Sequence, residues 1–137
     1  MRMAMLAFLF LPLAVLAGEP SVRPGELTRM QASKQAPLLL DVRTPEEYRD
    51  GHIAGALNIP VDQVAARHGV LGVGRDQEVI VYCRSGKRAA LAQQTLQSLG
   101  YRDVHLLDGS MQAWQAEHRP VVREDAADGG NTKRSHD

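Results

Sequence analysis

The chain has 137 residues, 44% of them hydrophobic and only 4% aromatic, which suits a single domain with an aliphatic core. Its 16 basic residues are balanced by 16 acidic ones. That balance argues against a nucleic-acid-binding protein, which carries a basic excess or stripe.

At the N-terminus Arg2 precedes an almost unbroken apolar run from Met3 to Leu16, and Val15-Leu16-Ala17 offers small residues where a signal peptidase reads. This pattern predicts a cleaved export signal over residues 1–17. The run falls short of the roughly 20 residues a spanning helix needs, so no stable membrane anchor is expected. The mature chain is expected to begin at Gly18 and to be soluble in the periplasm or outside the cell.

A domain is expected over residues 18–122. Gly25 to Ser33 reads as a short helix, with Leu27 and Met30 on one side. Leu38-Leu39-Leu40, running into Asp41-Val42-Arg43, has the look of a strand buried on both faces. Thr44-Pro45-Glu46-Glu47 is a helix start: Thr44 caps, Pro45 fits the first turn and Glu47 completes a capping box. Gly51-His52 ends that helix, and Ala56 to Ile59 predicts a short strand before Pro60. Asp62 is expected to cap a helix from Gln63 to Arg67, followed by a loop marked by Gly69, Gly72 and Gly74. Glu78 to Tyr82 is the next strand and leads into Cys83-Arg84-Ser85-Gly86-Lys87-Arg88. A helix follows, with Ala89, Ala92, Leu96 and Leu99 on one face and Gly100 as its stop. Val104 to Leu107 is a further strand, and Ser110 is expected to cap a last helix carrying Met111 and Trp114. Residues 123–137 lack apolar periodicity and are expected to form a disordered tail. Strands alternating with helices imply a mainly parallel sheet covered on both faces, with ligands at the carboxyl ends of its strands.

The chain's one cysteine stands at such an end, after a strand and before a helix. A lone cysteine forms no internal disulfide, so in an exported domain it is an inert core thiol, an intermolecular link or a reactive group. A thiol attacks as the thiolate, so the residues that stabilise negative charge decide between these. The helix that begins near Lys87 turns its unpaired N–H groups and positive dipole end toward Cys83. Gly86 lets successive amides face one point, and Arg84, Lys87 and Arg88 add charge. Cations are disfavoured in a helix's first turn, so several of them there call for an anion.

Three segments, in order, resemble the single-domain rhodanese family of sulfurtransferases, over about Pro24 to Ala116. They are Leu39 to Tyr48 with Gly51-His52-Ile53-Ala54-Gly55-Ala56, then Val81 to Ala89, then Leu107-Asp108-Gly109-Ser110 with Trp114. The resemblance implies the rhodanese-like α/β fold, a parallel sheet of about five strands with helices on both faces. It implies that Cys83 takes a sulfur atom from a donor such as thiosulfate, forms a persulfide, and passes the sulfur to cyanide or a thiol. Arg84, Ser85, Gly86 and Lys87 would then cradle and attract the donor, and Arg88 would orient the sulfur and bind the donor's oxyanion. Asp41 and Arg43 are expected either to support the site as an ion pair behind it or to serve the fold alone. His52 reads as a packing and turn residue. His68, His105, His118 and His136 show no metal-ligand spacing, so no metal or other cofactor is expected.

Related phosphatases and arsenate reductases place five residues between cysteine and arginine. Here Arg84, Ser85, Gly86 and Lys87 make four, a tighter loop that fits one sulfur atom. The basic loop also differs from the type associated with mercaptopyruvate, where small residues follow the cysteine. A carrier that hands its persulfide to a protein partner would use the same residues, and an interaction module of this fold usually lacks the cysteine.

Overall fold

The computed structural model describes residues 21–124, so the expected signal at 1–17 and nearly all of the expected tail lie outside the described residues. Five strands form one sheet in the order β1-β5-β4-β2-β3, every neighbouring pair parallel. They are β1 (Ser21–Val22), β2 (Leu38–Asp41), β3 (Leu57–Asn58), β4 (Val79–Tyr82) and β5 (Val104–Leu107). The helices are α1 (Pro24–Gln31), α2 (Pro45–Asp50), α3 (Val64–Arg67), α4 (Lys87–Ser98) and α5 (Ser110–Ala116).

The centre of the sheet is β4, all four of whose residues are buried. Because strand side chains alternate, Val79, Val81 and Cys83 face one core and Ile80 and Tyr82 the other. The first core is closed by Ala89, Ala92 and Leu96 of α4 with Val64 of α3. The second is closed by Leu27 of α1 with Met111 and Trp114 of α5. This two-sided cover is the reason β2 and β4 read as unbroken apolar runs.

From β2 the chain moves outward to β3 on one side, and from β4 outward to β5 on the other. The order therefore reverses between β2 and β4, whose carboxyl ends lie side by side with Asp41 paired to Tyr82. Crevices of this kind are where open parallel sheets bind ligands.

Three local expectations are corrected. β1 was not foreseen: two residues after Pro20 carry no periodicity, and they form a strand only by pairing with Leu106 and Leu107 of β5. Asp62 does not cap α3, because a 3-10 turn already begins at Val61 after Pro60, leaving Asp62 inside the turn with no capping bond. Ser110 is likewise the first residue of α5 and not its cap. Gly109, at φ 68°, takes that position, and a Cβ there would collide with Ala113.

The Thr44–Glu47 capping box forms as expected, with both reciprocal bonds present. His52 is buried, stacks on Tyr48 with ring centroids 3.7 Å apart, and pairs its backbone with Val122. Just past that pairing the Glu124 N–H donates to Arg49 O at 3.1 Å.

Candidate functional site

Cys83 follows β4 directly and is 1% exposed, at the base of the loop that ends at the first turn of α4. Its Sγ accepts a hydrogen bond from the Gly86 N–H at 3.0 Å. Gly86 makes this possible by standing at φ 118°, a conformation side-chain-bearing residues rarely take; a Cβ there would meet nothing, so the constraint is the backbone and not space. The N–H groups of the first turn of α4 have no intrahelical partner and are free to serve an anion.

A second helix holds the loop from behind. At the start of α5, Met111 N–H donates to Cys83 O and Gln112 N–H donates to Arg84 O, both at 3.0 Å. The Cys83 N–H donates to the buried Ser110 Oγ at 3.3 Å. The carbonyls of Cys83 and Arg84 are thereby engaged by α5, while the sulfur itself takes an amide donor. Ser110 holds φ 50° to make this contact. Its role was missed in the sequence, although Leu107-Asp108-Gly109-Ser110 marked the segment.

Arg88 does not stand free to bind a donor's oxyanion. Its Nη1 and Nη2 donate to Glu47 Oε1 and Oε2 at 2.7 and 3.1 Å, a bidentate pair between α4 and α2. The Arg88 guanidinium, ahead of the opposing effect of burial, holds the Glu47 carboxyl down at about 2 from an ordinary 4.5. Glu47 in turn raises Arg88 above its usual range. A carboxyl depressed on folding stabilises the fold above its unfolded value, and that contribution is lost as pH falls from 4.5 toward about 2. Glu47→Gln is therefore expected to flatten the acid limb of the melting-temperature profile in that window, and an unchanged limb would contradict the pairing.

Asp41 and Arg43 form a buried ion pair at the end of β2. Arg43 Nη2 reaches Asp41 Oδ2 at 2.7 Å and also donates to Gly51 O at 2.7 Å, while the Arg43 N–H donates to Asp41 Oδ1 at 2.9 Å. Burial opposes the Arg43 charge, but the Asp41 carboxylate outweighs it and raises the guanidinium. Asn58 clamps the same turn, donating to the carbonyls of Asp41 and Arg43 at 3.0 and 2.9 Å. The guanidinium lies 5.7 Å from the Tyr82 ring centre, and burial raises the Tyr82 hydroxyl above its usual range, so it stays a neutral acceptor for Ile53 N–H.

Beside the loop lies a cleft of about 300 Å³, lined by Arg43, Glu47, Asp50, Arg84, Met111 and Gln115 among others. Arg84, Ser85 and Lys87 are exposed along the loop. Among the described residues Arg84 and Lys87 have no carboxylate partner, in contrast to Arg43 and Arg88.

At the opposite end of the sheet, His105 lies with Glu78 and Asp103, their donor atoms within 4.8 Å of one another. Sequence spacing did not reveal this cluster because one member comes from β4's approach and two from β5's. His105 Nε2 stands 2.6 Å from Asp103 Oδ1, so the imidazole is engaged by a carboxylate. Cys83 takes no part in it.

Comparison with known proteins accords with this geometry. Residues 23–117 match the rhodanese-like domain family. A sulfurtransferase of Allochromatium vinosum is 35% identical over 70% of this chain and 88% of its own length. The human thiosulfate:glutathione sulfurtransferase is also 35% identical, over 72% of this chain and 96% of its own. Matches to two further curated relatives span 59% and 26% of their own lengths. Among solved structures, the rhodanese-related protein of Thermoplasma volcanium superposes with a TM-score of 0.65 at 33% identity, over 75% of this chain and 97% of that one. The thiol-bearing loop at the β2/β4 crevice and these likenesses agree: the chain belongs to the rhodanese-like domain family, as a single-domain rhodanese-like sulfurtransferase.

Proposed function

We propose that the chain moves a sulfane sulfur from thiosulfate, or a donor of the same kind, to cyanide or a small thiol through a persulfide on Cys83. The observation that carries this reading is the Cys83 sulfur held by the Gly86 N–H inside a four-residue loop. Names of relatives support the donor: one of the similar human proteins is a thiosulfate:glutathione sulfurtransferase.

In the first half-reaction the Cys83 thiolate attacks the outer sulfur of thiosulfate. The Sγ–S bond forms, the S–S bond of the donor breaks, and sulfite leaves with the bonding pair. The terminal sulfur of the persulfide then carries the negative charge, and the loop amides from Arg84 to Arg88 would cradle it. Cyanide attacks this outer sulfur, the Sγ–S bond breaks toward Cys83, and thiocyanate departs with the thiolate restored. No base is required once Cys83 is ionised, which agrees with His52 being committed to Tyr48. Arg84 and Lys87 supply the unpaired charge that draws the dianion in.

Thiocyanate formation from thiosulfate and cyanide tests the reading. Turnover that requires Cys83 supports it, and no turnover with an intact, reduced thiol contradicts it. Arg84→Ala is expected to raise the thiosulfate concentration needed for half-maximal loading about three- to tenfold, with the difference shrinking in high salt. An unchanged requirement would remove Arg84 from donor binding.

We further propose that the protein works in the periplasm or outside the cell. Arg2, the apolar run to Leu16 and Ala17 support this. Sequencing the N-terminus of the exported protein should read Gly18 first, and a retained Met1 would contradict cleavage.

A further inference from the structure

The pair between Arg88 and Glu47 joins residues 41 positions apart, and nothing in the sulfur-transfer steps above uses the carboxylate. Glu47 is not a loose surface partner. Its Oε1 also accepts from the Thr44 hydroxyl at 3.2 Å and the Thr44 N–H at 3.3 Å, so the capping box of α2 fixes the carboxylate before Arg88 meets it. Arg88 is the second residue of α4, immediately beyond the loop, so clamping its side chain anchors the end of the loop opposite Cys83. The clamp also cancels a charge. With Arg88 balanced by Glu47 and Arg43 balanced by Asp41, the cations of the loop without a carboxylate in contact among the described residues are Arg84, on the cleft with Asp50, and Lys87, at the head of α4.

We propose that Glu47 is a positioning residue for the chemistry at Cys83: it fixes Arg88 as a strut for the loop and neutralises it, so that Arg84 and Lys87 read the donor's anionic end. The proposal rests on the reading of Cys83 as the sulfur-carrying thiol. It assigns Arg88 to shaping the loop and not to gripping the oxyanion. An ion pair that merely tied α2 to α4 would affect melting temperature alone. A positioning clamp also changes how Cys83 discriminates by charge.

Two alkylating agents of nearly equal size, iodoacetate and iodoacetamide, read that discrimination on the full chain without any sulfur transfer. In Glu47→Gln the Arg88 charge is uncovered, and the ratio of iodoacetate to iodoacetamide rates at Cys83 should rise about threefold, the size of one part-exposed charge interaction. In Arg88→Met the Glu47 charge is uncovered and the ratio should fall. In the double variant it should return to within about twofold of the native value. Persulfide loading at saturating thiosulfate should slow about tenfold in Glu47→Gln, with the double variant no slower than the slower single one. Glu47→Asp, whose carboxylate is one methylene too short for the bidentate reach, should repeat the loading loss if Glu47→Gln proves unstable.

A ratio unmoved in Glu47→Gln while its melting temperature drops would overturn the proposal, as would loading losses that multiply in the double variant. If the native chain accepts no sulfur from any donor, the proposed function fails on its own, and the alkylation ratios still decide the role of Glu47.

Discussion

Cys83→Ser is expected to abolish sulfur loading and thiocyanate formation while leaving the fold in place. Serine is close to cysteine in size, and the Gly86 N–H that now donates to Sγ would find a hydroxyl oxygen in its stead. Packing is therefore disturbed little, even though Cys83 is part of the core beside α4. The chemistry is lost entirely, because a hydroxyl is a weak nucleophile at neutral pH and an oxygen cannot take the place of the sulfur–sulfur bond. Turnover should drop to the rate of thiosulfate and cyanide alone, with a melting temperature within a few degrees of the native chain. Loading that survives in the serine variant would mean that another group carries the sulfur. Cys83 is the one cysteine of the chain, so that result would refute the mechanism and not merely shift it to a neighbouring thiol.

Arg43→Met should be the most destabilising single change near the site. Asp41 is fully buried and Arg43 is 6% exposed, so water cannot replace either partner. Removing the guanidinium leaves the Asp41 carboxylate with one remaining donor, the Arg43 N–H, and strips Gly51 O of its partner. Breaking one side of a buried pair costs about 3–5 kcal/mol. For a domain of this size that lowers the melting temperature by more than about 10 °C. The same argument predicts that Asp41→Leu combined with Arg43→Met is less damaging than either change alone, since no buried charge is left behind. Thermal and urea denaturation of the three variants check both statements, and a loss under about 1 kcal/mol in Arg43→Met would show that the pair is not load-carrying in the fold.

Much of the architecture was legible because single strands announce themselves when both faces are buried. Val79 to Tyr82 and Leu38 to Leu40 are apolar without alternation, and each proved central in the sheet. The Thr44–Glu47 box was legible for a different reason: its bonds are made within four residues, so spacing alone specifies them. The thiol-bearing loop between β4 and α4 was legible from Cys83, Gly86 and the helix that follows. What escaped the sequence depends on contacts between distant segments. Ser110 looked like an ordinary cap, yet its hydroxyl serves Cys83, 27 positions earlier. Glu47 looked complete in its capping box, yet a carboxylate has a second oxygen and further lone pairs, which Arg88 takes. For the same reason nothing local shows that Arg88 is paired with Glu47. β1 exists only through β5, and no pattern within two residues could reveal it.

The division of labour that results is specific. Two helix starts shape the loop, the Gly86 N–H at the cap of α4 donating to the sulfur and α5 engaging the carbonyls of Cys83 and Arg84. Two ion pairs brace the crevice from the β2 side, Asp41–Arg43 within the core and Glu47–Arg88 at its rim. Arg84 and Lys87, without a carboxylate partner among the described residues, stand exposed along the loop. Such a site suits an anion whose charge stays outside while one atom is delivered inward.

The most direct test of the central claim is the intact mass of the reduced native chain after exposure to thiosulfate, followed by fragmentation to locate the change. The account predicts a gain of one sulfur atom, confined to the peptide that contains Cys83 and removed by cyanide. A chain whose Cys83 stays at its original mass under these conditions, although still open to alkylation, would contradict it.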